Sequence, residues 1–118
     1  MRPAGATDWL GINGAACTAA AVALAALSSH AVQGPGQGQL HIAAALAFGH
    51  GVALAALSPA TTRRLGRVAL LVAYLGMLLF SGSLVFSVLA QWPTTLAPMG
   101  GMAMIAGWLL LAIDRARG

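Results

Sequence analysis

Charged side chains are scarce in this chain of 118 residues. Six basic and two acidic residues make up 7% of the sequence, and all six basic residues are arginine. A soluble domain of ordinary composition carries roughly 25% charged residues. So few polar side chains cannot cover a water-soluble globule, and the mean hydropathy of +0.85 agrees with this. The composition therefore predicts an integral membrane protein, with the lipid bilayer as its surroundings.

Residues that carry chemistry are also few. Cys17 is the single cysteine, which excludes an internal disulfide and a multi-cysteine metal site. The two carboxylates, Asp8 and Asp114, lie at the ends of different apolar runs and do not form a pair in the sequence. The sequence also shows no Ser-His-Asp set and no spacing typical of a zinc site. The arginines lie outside the apolar runs and have no aromatics between them, which argues against nucleic acid despite the net charge of +4. We therefore expect no enzymatic activity, no cofactor, no metal and no nucleic-acid partner.

Long apolar runs, separated by short polar stretches, make up most of the chain. About 23 residues at 1.5 Å rise per residue span roughly 34 Å, which is enough to cross a bilayer. The uncharged stretch Gln33–Gln39 is a turn by composition, because it is rich in glycine, glutamine and proline. The runs predict one all-α membrane domain over residues 1–118, an antiparallel bundle of four transmembrane helices. The predicted spans are approximately 10–32, 40–58, 68–90 and 96–113.

The first apolar run has an alternative interpretation as a cleaved signal peptide. Arg2 would supply a positive start, and the small residues around His30 resemble a cleavage site. The run is long for the apolar part of a signal peptide, which favours a membrane span.

The arginines predict the orientation of the four spans. Four crossings place both termini and the loop at Arg63–Arg67 on one side, and that side then holds every basic residue. A three-span arrangement would break this partition. Because cytoplasmic loops of membrane proteins carry the excess of basic residues, we expect both termini in the cytoplasm of a bacterial inner membrane.

Small residues recur at steps of three and four along the later runs. Helices in lipid associate through such residues, because these let the backbones approach closely. The spacing predicts packing faces on the second, third and fourth spans, which either hold the bundle together or dock a larger membrane partner. The third-span face comprises Ala73, Gly76, Phe80, Ser83, Ser87 and Ala90, the fourth-span face Ala97, Gly100, Met104 and Gly107, and the second-span face Ala45, Gly49 and Ala56.

Histidine inside a membrane span is costly and is a functional hypothesis by default. Counted from the uncharged side, His50 lies about 15 Å deep and His30 only about 3 Å deep, which disfavours a pair of level haem ligands. Ser81, about 13 Å deep, is the candidate hydrogen-bond partner of His50. Together these three residues form a candidate intramembrane polar site. A structural hydrogen bond between helices and a role in proton, metal or ligand chemistry both remain open for His50.

Three short motifs in the C-terminal half resemble the DUF423 family, small bacterial inner-membrane proteins that include the UPF0382 or YgdD-like proteins and have a eukaryotic four-span relative. The motifs are Phe80–Leu84, Ala97–Gly101 and Ala106–Trp108. More weakly, His30 and His50 stand where that family carries a histidine near the end of the first span and one in the second. The resemblance implies four spans and no established activity.

Two functions follow as expectations. The first is a non-catalytic accessory or structural subunit, packed against other membrane protein subunits or against copies of itself. An 11.8 kDa protein with small loops and apolar faces has mainly surface to offer. The second is a small transporter, channel or ligand-binding protein that uses His50 and Ser81.

Overall fold

The structure, a computed structural model, describes residues 5–118, and Arg2 of the predicted cytoplasmic tail lies outside this range. The described residues form α helices joined by short connections and contain no strand. Each helix is long and apolar enough to cross a membrane. The prediction of an all-α chain with four membrane-spanning helices is thereby confirmed. The helices are α1 (Trp9–Ala31), α2 (Pro35–Leu57), α3 (Arg64–Ala90) and α4 (Ala97–Ala116).

The helices pack as two antiparallel hairpins. α1 packs on α2, α3 packs on α4, and α2 packs on α3 to join the hairpins. The molecule measures 46 × 27 × 18 Å, and its long dimension follows the helices. One end holds the start of α1, the α2–α3 connection and the end of α4. This is called the arginine end below (residues 5–8, 58–67 and 114–118), and the other is called the uncharged end (residues 32–34 and 91–96).

The turn predicted over Gln33–Gln39 is shorter than expected. α2 already begins at Pro35, and only residues 32–34 connect it to α1. Proline suits the first helical position, because its missing N–H has no helical partner there. Gly34 precedes it with a φ of 78°, a left-handed conformation that glycine adopts without steric cost. The second helix therefore starts five residues before Leu40, where the apolar run begins.

Glycine lets α3 and α4 approach to backbone contact. A Cβ atom added to Gly76 would lie 2.8 Å from the carbonyl oxygen of Gly100, and one added to Gly100 would lie 2.5 Å from the amide nitrogen of Phe80. At Gly107 the added atom would lie 2.6 Å from the amide nitrogen of Ala73. Gly76, Gly100 and Gly107 thus pack as the spacing predicts. Ser83 and Ser87, which belong to the predicted face of α3, are half-buried.

As a face that packs within the bundle, the prediction for the second span is wrong. Ala45, Gly49 and Ala56 are all exposed, and a Cβ atom at Gly49 would meet nothing within 4 Å. The observed contact of α2 with α1 uses the opposite pair, Gly14 and Gly51. A Cβ atom at Gly14 would lie 2.6 Å from the Gly51 carbonyl oxygen, and one at Gly51 would lie 2.5 Å from the Gly14 carbonyl oxygen.

One cluster of buried apolar side chains lies nearer the arginine end. It is built on Leu54, Ala69, Leu70 and Leu111, with Tyr74 and other half-buried side chains packed against it. Many larger apolar side chains point outward instead, on all four helices. Such an outer surface is typical of helices that face lipid or another membrane protein.

Candidate functional site

His50 is buried in α2, seven residues before the helix ends at Leu57, which places it about 10 Å inside the arginine end. Its Nδ1 lies 2.9 Å from the backbone carbonyl oxygen of Leu46. Its Nε2 lies 2.9 Å from Nε1 of Trp108, which stands eight residues before the end of α4. The two rings also touch, with centroids 5.5 Å apart and planes inclined at 56°.

These two contacts define the protonation of His50. A carbonyl oxygen only accepts, so Nδ1 carries the hydrogen and donates to Leu46. An indole N–H only donates, so Nε2 carries the lone pair and accepts from Trp108. The imidazole is therefore neutral and both nitrogens are occupied. A metal, a haem iron or a transferred proton at Nε2 would first have to displace the indole of Trp108.

The structure gives His50 and Ser81 different partners. His50 does bond a neighbouring helix, as expected, but that helix is α4 and the partner is Trp108 rather than Ser81. The Ser81 hydroxyl donates to the carbonyl oxygen of Ala43 in α2, at 3.0 Å, and the serine is buried. Because α2 begins at Pro35, Ala43 lies about 12 Å from the uncharged end and is level with Ser81, whereas His50 lies about 22 Å from it.

His30 stays apart from the other two members of the predicted polar site. It is exposed in the last turn of α1, at the uncharged end. His50 lies toward the arginine end, so the two imidazoles are not brought together. No group of three or more histidine, cysteine or acidic residues that could hold a metal ion occurs within residues 5–118.

Two further polar links between helices were missed by sequence reasoning. The Tyr74 hydroxyl of α3 donates to Oδ1 of Asn13 in α1, at 2.9 Å. The Ser28 hydroxyl donates to the carbonyl oxygen of Gln37, and Nε2 of Gln37 donates to the carbonyl oxygen of Ser28, each at 3.1 Å. The available signal was the rarity of Asn13 and Tyr74, the single asparagine and the single tyrosine of the chain, each inside an apolar run.

Two open cavities lie on the outer surface of the α3–α4 side. One, of about 460 Å³, is lined by His50, Trp108 and apolar side chains including Phe80 and Met104. The other, of about 250 Å³, lies where α3 meets the α3–α4 connection and is lined by residues including Ser83 and Trp92. The Ser83 hydroxyl is buried there and has no hydrogen-bond partner among the described residues.

A polar cluster organises the arginine end around Asp114. This carboxylate is 2% exposed and pairs with Arg63 (Nε to Oδ1, 3.2 Å) and Arg115 (Nη1 to Oδ2, 3.2 Å). Arg63 also donates to the backbone carbonyl of Asp114, and Arg115 donates to the hydroxyl of Thr61. A Cβ atom at Gly66 would lie 2.8 Å from Oδ2 of Asp114, so this glycine makes room for the carboxylate.

A second group of polar contacts ties α1 to the α2–α3 connection. The Ser58 hydroxyl donates to Asp8 at 2.6 Å, and Asp8 also accepts from the backbone N–H of Gly11 at 3.0 Å, which makes it the N-cap of α1. Arg67 donates to the carbonyl and the hydroxyl oxygens of Ser58, at 3.0 and 3.1 Å. Both aspartates of the chain therefore serve the arginine end as structural acceptors.

These features define a multi-pass helical membrane protein whose interior polar side chains join helices to one another. The chain belongs to the family described as protein of unknown function (DUF423), whose model matches residues 24–101. The matched part contains His50 and Ser81 but ends before Trp108. No curated protein and no solved structure shows a match to the chain.

Proposed function

We propose that this protein is a non-catalytic accessory or structural subunit that packs against a larger membrane complex. The observation that carries the proposal is the state of His50, the one histidine that is buried within the described residues. Its two nitrogens are taken up by Leu46 and Trp108, so it acts as a link between α2 and α4. A side chain held in this way supports packing rather than turnover.

The other buried polar groups favour the same function. Ser81 bonds the backbone of α2, Tyr74 bonds Asn13 of α1, and Ser28 bonds Gln37 across the first hairpin. These contacts join the helices to one another, and the outward surface of the spans is mainly apolar. Trp9, Met102, Ile105 and Leu109 are each about 60% exposed or more, and such side chains pack well against another membrane protein or lipid.

The proposal includes a bacterial inner-membrane location with both termini in the cytoplasm. The contacts of Asp8 with Ser58 and of Arg63 with Asp114 support it, because they bring the arginine-rich segments to one end. Alkaline phosphatase fused after Gly118 should be inactive, whereas the same enzyme inserted in the connection at Gln33 should be active. An active C-terminal fusion would refute the orientation.

The main test is purification from the native membrane in a mild detergent, followed by mass spectrometry. We expect the tagged protein to elute with one or more integral membrane proteins at a constant ratio. Washing with salt should leave the association intact, because apolar contacts are not screened by salt. Recovery as a single species without other subunits would contradict an accessory role.

A ligand-binding or transport function is the second candidate, and the cavity of about 460 Å³ beside His50 favours it. The variants H50L and S81A separate the two candidates. An accessory subunit whose variants still fold should still co-purify with its partners. A transporter or ligand-binding protein would lose uptake into proteoliposomes, or binding of its ligand, while it stays folded.

A further inference from the structure

The arginines of the arginine end fall into two groups. Arg63 and Arg115 pair with Asp114, and Arg67 donates to Ser58. Within residues 5–118, the guanidinium groups of Arg64 and Arg117 make no ion pair and no hydrogen bond, and both residues are exposed. Three arginines thus hold the fold together, and two remain available for a partner.

The two available arginines lie at neighbouring helix ends. Arg64 is the first residue of α3, and Arg117 follows the last residue of α4. The contact of Arg63 with Asp114 holds these two ends together. The described side chains of the arginine end have a net charge of +3, from five arginines and two aspartates. The uncharged end, residues 32–34 and 91–96, has no arginine, lysine, aspartate or glutamate.

We propose that Arg64 and Arg117 bind the phosphate of an anionic phospholipid in the leaflet that surrounds the arginine end. A residue at the end of a membrane span lies at the level of the lipid headgroups. A guanidinium group binds phosphate through two parallel hydrogen bonds, and a basic side chain near an anionic leaflet is attracted to it. The partner is recognised by its negative charge, so a zwitterionic lipid of the same chain length should bind less.

The proposal is tested with the purified protein in detergent micelles that contain equal amounts of phosphatidylglycerol and phosphatidylcholine. Native mass spectrometry then counts the lipids retained. We expect retained phosphatidylglycerol to exceed phosphatidylcholine in the wild type. Each arginine should contribute about fivefold to this preference, so the variant R64Q/R117Q should lose roughly 25-fold of affinity for phosphatidylglycerol.

The matched control is R64K/R117K, which keeps both charges and should keep most of the preference. The single variant R117Q changes a residue beyond the last helix. It should lower the affinity for phosphatidylglycerol about fivefold, which is half of the double variant's loss on a logarithmic scale. Inorganic phosphate at the same concentration as the lipid should not compete, because it lacks the acyl chains that hold the headgroup at this level. An unchanged preference in R64Q/R117Q and R117Q, or displacement of the lipid by inorganic phosphate, would overturn the proposal.

Discussion

The indole N–H of Trp108 donates a hydrogen bond to Nε2 of His50 at 2.9 Å, and this bond joins α4 to α2. These helices belong to different hairpins, so the bond supplements the packing of α2 on α3. His50 has its second nitrogen on Leu46 of its own helix. The buried histidine of α2 and the tryptophan of α4 thus form one link between the two hairpins.

Replacement of Trp108 by phenylalanine should destabilise the protein by about 0.5–2 kcal/mol. The apolar ring is kept in part, but Nε2 of His50 is left buried without a donor. The cost is measured by unfolding in mixed detergent and SDS micelles, followed by circular dichroism. The matched control is W92F, because Trp92 is 58% exposed at the uncharged end, where its ring stacks on Phe86.

A double-mutant cycle with H50L and W108F isolates the bond itself. If the two side chains act through their hydrogen bond, the double variant should cost less than the sum of the single variants. Strict additivity would show that each residue contributes by packing alone.

Gly100→Ala should separate α3 from α4 and destabilise the protein by about 1–3 kcal/mol. The added methyl group would lie 2.5 Å from the backbone nitrogen of Phe80, which cannot move without the helix. Gly82→Ala is the control, because a Cβ atom there meets nothing within 4 Å. The control should stabilise the protein by no more than about 1 kcal/mol, because alanine favours the helix more than glycine does. Equal losses in both variants would mean that the close approach at Gly100 does not set the cost of its substitution.

Ser81→Ala and Ser83→Ala form a matched pair two residues apart on α3. Loss of the Ser81 hydroxyl removes a hydrogen bond to Ala43 and should cost about 0.5–1.5 kcal/mol. Loss of the Ser83 hydroxyl removes a buried group without a partner and should be neutral or slightly stabilising. Thermal unfolding in one detergent compares the two variants directly, and the reverse order of stability would contradict the assigned contacts.

Asp114→Asn should destabilise the arginine end by about 1–3 kcal/mol. The amide keeps the shape of the buried carboxylate but removes the charge that Arg63 and Arg115 share. Hydrogen exchange should rise at the start of α3 and the end of α4, which this residue holds together. R117Q, which alters an exposed arginine without a partner in the described structure, should leave exchange at both ends unchanged.

The packing faces of α3 and α4 follow from the sequence because they depend on spacing within each helix. Gly76, Gly100 and Gly107 lie in runs of small residues at steps of three and four, and the two helices are joined by a short connection. For α2 the same reasoning chose Gly49 rather than Gly51. Both glycines fit a small-residue spacing, and only the position of α1 selects between them.

The partner of His50 shows why the candidate site could not be predicted in the same way. Whether two side chains on different helices are level depends on where each helix begins. α2 starts at Pro35 instead of Leu40, which moves each of its residues about 7.5 Å deeper from the uncharged end. Because of this shift, Ala43 and not His50 lies opposite Ser81.

The sequence by itself determined the class of protein and the small-residue faces of α3 and α4. It could do so because apolar length and the spacing of glycines are properties of single segments. The tertiary structure alone decided which polar side chains meet: Trp108 with His50, Tyr74 with Asn13, and Asp114 with Arg63. Those pairs depend on the relative height and rotation of helices, which are set by the packing of the whole bundle.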